Sequence, residues 1–369
     1  MERKIYKAAA IAVAGVLALG LTACQQASGD GKAAAAGDTG KVAAASAPAP
    51  APFDKKGVKV ALVQQSGQGD YFQQYLNGTK QQANALGVDL QVYDAQGDNA
   101  QQAALLEQAI QSKPAGIIVR HGNTDTLCPG VNEAIEKKIP IVIYDVAIQE
   151  CAPKAVQTQQ DDAVMAGLVL EQMAKDIGKD AKVGYVNVAG VAPLDRRNEV
   201  WTKDVAANGW KQLFKTGAFT NSSATDSAPM VSAAVQANKD VAAIYAPYDE
   251  FTKGTLTGLD QVPGTESIKV YGADISNADI ELMKAPGSRW VATGATDPNA
   301  IGAAVFRTLA LRIAGEVAEG DLVKFPPVLV TQKMLRDKKI ENMDDLRKAE
   351  PTLNISGTSS ADWIPAVSF

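Results

Sequence analysis

Short β-prone apolar runs alternate with amphipathic stretches along most of the chain, and the first pair sets the pattern for the rest. Val58, Val60, Leu62 and Val63 form a run suited to a buried strand. Gly67 and Gly69 then allow a sharp turn, and Asp70 followed by Gln73 has the spacing of a capping box. Tyr75, Leu76, Thr79, Ala83 and Leu86 recur every three or four residues up to Gly87, giving a helix with one face for a sheet and a residue on which to stop. The same grammar predicts strands over 88–93, 115–120 and 139–145, with helices over 100–112 and 124–137. After the polar stretch Gln157 to Asp162 a second series is predicted. Its helices fall over 161–177, 195–215, 227–238 and 249–260, and its strands over 182–188, 218–220, 241–245, 268–271 and 290–293. A long helix over 298–319 and a strand over 326–331 close the series. The tail has a helix over 343–348 and an apolar end from Trp363 to Phe369, expected to pack on the second lobe.

Strands spaced by helices of this length call for right-handed crossovers and parallel sheets covered on both faces. The expected fold class is α/β, with two similar doubly wound parallel-sheet lobes. The unit series occurs twice, and roughly 310 residues are too many for one small core. Ligands of such sheets bind beyond the carboxyl ends of the strands. Tyr71 and Phe72 sit at that edge in the first helical turn. Adjacent aromatics there cannot both face the sheet, so at least one points into the mouth.

Composition changes the picture at the ends. Met1 to Lys7 is a mostly basic head before an apolar run from Ala8 to Leu21, a secretory signal too short for an ordinary membrane span. Leu21-Thr22-Ala23-Cys24 resembles the lipobox of bacterial lipoproteins, which implies a signal peptide over 1–23 and lipid on Cys24. An extracytoplasmic, membrane-anchored protein follows from that resemblance. Residues 24–55 are rich in Ala, Gly, Ser and Pro and are expected to be a disordered linker. A net charge of −5 without blocks of like charge offers no footprint for nucleic acid. Cys128 and Cys151 lack metal spacing and, in an oxidising compartment, are expected to form a disulfide. Such a bond would close a loop of about 23 residues and stabilise the fold by about 3 kcal/mol on the chain-entropy model.

From Lys56 to about Thr331 the order of elements resembles the type I periplasmic solute-binding proteins, the ribose- and galactose-binding group of ABC importers. Local patterns carry the likeness: GDYF at 69–72, IPIVIYD ending at Asp145, RRNEVW at 196–201, IYAPYDEFTKGTL at 244–256 and VYGAD ending at Asp274. The resemblance implies a three-strand hinge with crossings near 159–161, 296–297 and 327–328. Residues 56–160 with 297–328 would then form the N-terminal lobe, and 161–296 with 329–369 the C-terminal lobe. It also implies ligand contacts from Tyr71, Phe72, Asp145, Arg197, Tyr248, Asp274 and Thr296. Arg197 has an arginine neighbour, Arg196, so at least one of the pair is expected at the surface. Arg120, which follows a strand, is a further candidate for the mouth. The departures are informative. Asp145-Val146 replaces the Asp-Arg of many sugar binders, Tyr248 and Gly69 stand where asparagine is common, and Thr296 stands where glutamine is usual. They make the pocket less polar and more aromatic than a plain pentose site.

The chemistry of this set is consistent. Asp145 and Asp274 can accept hydrogen bonds from adjacent hydroxyls while Arg197 donates in a fork. Tyr71, Phe72 and Tyr248 can cover apolar C–H faces. Catalysis is poorly supplied: the chain has one histidine, His121, no GxSxG, and only a truncated dinucleotide fingerprint at Gly67-x-Gly69. No cofactor and no metal site are expected. The expected function is capture of a small polar ligand, a sugar, polyol or related polyhydroxy or aromatic compound, and its delivery by a monomer to an ABC permease. The rival is a sensing subunit for a membrane kinase or chemoreceptor.

Overall fold

In the computed structural model, which describes residues 38–369, each β-prone run and the amphipathic stretch after it fold as a strand and a covering helix. The expected signal peptide, Cys24 and the first part of the linker lie outside the described residues. The elements begin with β1 (Lys41–Val42), β2 (Lys59–Gln64), α1 (Asp70–Ala85), β3 (Asp89–Asp94), α2 (Asn99–Gln111), β4 (Gly116–Arg120), α3 (Thr124–Glu136), β5 (Ile141–Tyr144) and β6 (Val156–Gln160). The second series comprises α4 (Asp162–Ile177), β7 (Lys182–Val186), α5 (Ala192–Asn208), β8 (Lys211–Thr216), α6 (Ser223–Ala237), β9 (Ala243–Ala246), α7 (Asp249–Asp260), β10 (Lys269–Ala273), α8 (Asn277–Lys284) and β11 (Trp290–Ala295). The last elements are α9 (Pro298–Ala314), β12 (Leu322–Phe325), β13 (Val328–Thr331), α10 (Gln332–Asp337), α11 (Met343–Ala349) and β14 (Val367–Ser368).

Two six-stranded sheets result, in the orders β3-β2-β4-β5-β6-β12 and β8-β7-β9-β10-β11-β13. Every pairing in the first is parallel, and in the second only β13 runs antiparallel. In each lobe the first strand lies between the second and third, so the strand order reverses there and opens a crevice at the carboxyl edge. Continuous burial of β2 after Lys59 is what a central parallel strand covered on both faces requires. The chain passes between the lobes after β6, between β11 and α9, and between β12 and β13. Helix α9 returns to the first lobe and packs on α1, β4 and β5. The two helices approach so closely that a Cβ on Gly78 would overlap the Asn299 backbone, and one on Gly302 the Tyr75 carbonyl.

Several boundaries differ from the sequence reading. Helix α5 stops at Asn208, because Gly209 takes a left-handed cap (φ 67°), and Lys211–Thr216 then forms an edge strand on β7. The strand expected over 218–220 is loop instead. The linker reading is corrected from Asp38 onward. Strand β1 pairs antiparallel with β14, Ser46 N–H donates to the Asp362 carbonyl (2.7 Å), and Phe53 stacks on Trp363 with ring centroids 5.3 Å apart. This segment cannot build a core of its own, but the tail supplies one.

Assignment of the whole tail to the second lobe is corrected too. Helices α10 and α11 bury Leu335, Met343 and Leu346 with Trp290 and Val330 of the second lobe. Residues 355–369 then return to the first. There the buried Arg307 of α9 donates to the carbonyls of Ile355 (3.0 Å) and Thr358 (3.0 Å), and Gln82 of α1 donates to that of Pro365 (2.8 Å). Near the hinge, Arg347 of α11 pairs with both Asp297 (2.7 Å) and Asp38 (2.8 Å). The tail is thus a fourth link between the lobes. Cys128 and Cys151 are joined as a disulfide, with Cα atoms 6.2 Å apart. Among the described residues no helix is long and apolar enough to cross a membrane.

Trp363 also donates to Glu316 (2.8 Å). Trp363→Ala should therefore destabilise the protein by about 3 kcal/mol, measured by urea denaturation, since it empties a large buried site and frees the N-terminal segment.

Candidate ligand-binding cleft

The loop after nearly every central strand ends in a side chain aimed at the space between the lobes. From the first lobe these are Tyr71 and Phe72 after β2, His121 after β4, Asp145 after β5 and Gln160 at the end of β6. From the second they are Val191, Pro193, Leu194 and Arg197 after β7, Phe219 after β8, Tyr248 after β9 and Asp274 after β10. Asp145 and Asp274 follow topologically equivalent strands. Both are in the left-handed region, with φ of 54° and 72°, a conformation that aspartate tolerates better than most residues.

The polar part of the cleft is a chain of alternating charges. Asp145 of the first lobe pairs with Arg196 of the second. Arg196 also donates to one oxygen of Asp162 (2.7 Å), and Arg197 Nε donates to the other (2.7 Å). Arg197 then lies 3.8 Å from Asp274 and donates to the Pro247 carbonyl (2.6 Å). Burial pushes the Asp145 carboxyl up to about 7 and that of Asp274 to about 6, partly opposed by the neighbouring guanidiniums. Burial, reinforced by Arg120, Arg196 and Arg197, holds the His121 imidazole well below its ordinary range and so neutral.

Buried polar atoms are left without partners in the cavity wall and, for Asp145, just behind it. Asp274 Oδ1, Asp145 Oδ2 and His121 Nδ1 are buried and without hydrogen-bond partners. Buried atoms of this kind cost free energy unless something satisfies them. Around them Phe72, Phe219, Tyr248, Val191, Pro193 and Leu194 form an apolar wall, and the space, including its mouth, is about 350 Å³. One end of the cavity can hydrogen-bond hydroxyls and the rest can cover hydrocarbon.

A second bridge closes the far side. Lys253 of α7 lies 2.8 Å from Asp70 across the cleft, and 3.4, 2.8 and 3.3 Å from Asp249, Glu250 and Asp279 of its own lobe. Burial would push the ammonium down, but these four carboxylates hold it protonated. Asp70, Asp249 and Glu250 come close enough to share a cation, and Lys253 supplies it.

Of the residues expected from sequence, Tyr71, Phe72, Arg197, Tyr248 and Asp274 line the cavity. Asp145 lies just behind it, its Oδ2 3.9 Å from His121 Nε2. Thr296 lies at the hinge, where its hydroxyl donates to Gln160 (2.6 Å), and it holds a cavity residue rather than lining the space. Arg120 is a correction. It is fully buried beneath the cavity, donates to the Phe72 (3.0 Å) and Ser66 carbonyls, and lies over the rings of Phe72 and Tyr75. Its role is to hold the aromatic turn in place. Tyr71 has its hydroxyl bonded to that of Tyr144. The expectation that at least one of Arg196 and Arg197 lies at the surface is corrected: both are drawn inward because Asp162 offers one oxygen to each. Sequence reasoning also missed Asp162, Gln160, Phe219 and the Val191–Leu194 wall. Phe219 would have emerged from a correct edge strand at β8, whereas the adjacent arginines gave no sign that both turn inward.

Comparison with known proteins agrees with this fold. A family model described as periplasmic binding protein domain matches residues 60–316. The ribose import binding protein RbsB of Salmonella typhimurium is 27% identical over 271 residues, covering 72% of this chain and 88% of that protein. The crystal structure of a 5-methylthioribose transporter solute-binding protein from Thermotoga lettingae, in complex with 5-methylthioribose, superposes with a TM-score of 0.81 at 34% identity. That match covers 86% of this chain and 98% of the other. A sugar ABC transporter structure from Yersinia enterocolitica gives a TM-score of 0.77 at 30% identity, over 86% of this chain and 95% of that one.

Arg196→Ala removes a lobe-to-lobe bridge without touching the cavity lining and leaves two carboxylates short of a partner. Solute affinity should fall about tenfold or more by calorimetry. Binding should also weaken several-fold as pH falls from about 7.5 to about 5 and Asp274 gains its proton. Asp274→Asn should bind more weakly at neutral pH and lose the step near 6.

Proposed function

This chain belongs to the periplasmic binding protein domain family, as a type I member, and on that premise we propose that it captures a neutral polyhydroxy solute bearing an apolar group and delivers it to an ABC permease. The observation that carries this reading is the pairing of unsatisfied Asp274 and His121 atoms with a wall of Phe72, Phe219, Val191 and Leu194 in one cavity. A hydroxylated ring fits the first and a hydrocarbon or thioether end the second. 5-Methylthioribose, the compound in the related Thermotoga complex, has both parts and is the leading probe. Tyr71, Phe72, Arg197, Tyr248 and Asp274 are the proposed contacts, with Asp145 reached through its free oxygen.

The lobes close because the ligand and the charge chain engage both at once. Micromolar affinity needs only about −8 kcal/mol, within reach of a few charge-assisted hydrogen bonds and apolar cover once water is expelled. Lipid on Cys24 would hold the receptor to the membrane from outside the described residues, facing the permease as a monomer and releasing its ligand chemically unchanged.

Calorimetry should show 5-methylthioribose binding more tightly than ribose or xylitol. Arg197→Ala should cost more than about 1 kcal/mol of that binding, because a charged donor is removed from a dry site. Equal affinity for ribose and 5-methylthioribose would count against the apolar half of the reading, and unchanged affinity in Arg197→Ala against that contact.

A further inference from the structure

Beside the ligand cavity lies a second and larger space, about 960 Å³ including its opening. It forms where Gln65 and Ser66 after β2 and Gln96 to Asn99 before α2 face Phe219, Thr220 and Asn221 after β8. Phe72 and Phe219 line both spaces, so these two rings are their common wall.

The lining is amide and hydroxyl. Among the described residues no lysine or arginine lines it, and its one carboxylate, Asp98, is engaged in capping α2 through Ala100 (2.8 Å) and Gln101 (3.0 Å). Gln65 is only 7% exposed. Its Nε2 donates to the Gly97 carbonyl (3.3 Å), but its Oε1 has no partner. Asn99 Oδ1 is likewise buried and unpaired. The space lies between the lobes, and Asn221 bridges them at it: Ser66 Oγ donates to Asn221 Oδ1 (3.0 Å), and Asn221 Nδ2 donates to the Gln96 carbonyl (2.6 Å). Whatever is trapped in the inner cavity therefore faces, across an aromatic wall, a hydrogen-bonding groove that opens to solvent at Gln96 to Asp98 and at Thr220 and Asn221 and carries the single charge of Asp98.

We propose that this compartment is a subsite for a neutral polar substituent on the apolar end of the ligand, so that the protein accepts 5-substituted thiopentoses with hydroxyl-bearing tails. The inference rests on the reading given under Proposed function. Hydroxyls of the ring engage Asp274, Arg197 and His121, which directs C5 and its sulfur toward Phe72 and Phe219. A tail longer than methyl then passes between the two rings, and its terminal hydroxyl donates to Gln65 Oε1 or Asn99 Oδ1. Neither amide bears charge and Asp98 is the one ionised group of the lining, so an anionic tail is not favoured.

Calorimetry with D-ribose, 5-methylthioribose and 5-(2-hydroxyethylthio)ribose on the wild type, Asn99→Trp and Gln65→Leu tests this. The wild type should bind the hydroxyethyl compound at least as tightly as the methyl compound. Asn99→Trp, which fills the second space, should lose about tenfold or more for the hydroxyethyl compound and less than about twofold for the methyl one. Gln65→Leu should remove any advantage of the longer tail while binding the methyl compound normally. The subsite alone is refuted if the wild type binds the methyl compound but rejects the hydroxyethyl one, or if both variants treat the two alike. Binding of none of the three probes overturns the ligand class itself and the subsite with it.

Discussion

The ligand side of the cleft is organised by one interaction, the alternation of Asp145, Arg196, Asp162, Arg197 and Asp274 across the gap between the lobes. Three buried carboxylates and two guanidiniums leave a net charge of −1 if all are ionised. Buried ion pairs add little stability because desolvation offsets most of the attraction, so this chain is better understood as a device that fixes geometry. It sets a distance at which the lobes meet, and its two arginines add to the burial that keeps His121 neutral. It also leaves one oxygen each of Asp145 and Asp274 without a partner. A ligand hydroxyl at those oxygens would complete a network that the protein alone leaves incomplete.

Topology explains why the network forms here. Each sheet reverses its strand order beside its first strand, and the reversals of the two lobes face each other. Repetition of the unit then places an aspartate after the fourth strand of each series, with the same left-handed backbone. The segment from Asp38 and the tail from Ile355 lie on the first lobe, while α10 and α11 lie on the second, so four links rather than three connect the halves. Arg347, held by Asp297 and Asp38, ties the extra link to the hinge.

Much of this was legible in the sequence, for physical reasons. Val60, Leu62 and Val63 in β2 and the Tyr75-to-Leu86 face of α1 announce their elements through periodicity, and each later unit repeats it. Asp145, Asp274, Tyr71 and Phe72 were recognisable because strand ends in such folds feed a ligand edge. Arg120 misled because a cation after a strand signals the edge equally well whether it faces outward or inward, and only its packing against Tyr75 and two carbonyls decides. Asp162, Arg196 and the ordered 38–55 segment were hidden because each depends on partners far away in the chain. A composition poor in core residues cannot announce that Trp363 and Val367 will complete it.

Closure of two lobes about a bound solute is tested most directly by small-angle X-ray scattering of the full chain with and without saturating 5-methylthioribose. The radius of gyration is expected to fall when the ligand is added and to fall less in Arg196→Ala, where the Asp145–Arg196 bridge is gone. A radius that stays constant while calorimetry shows the site filled would contradict closure about the ligand.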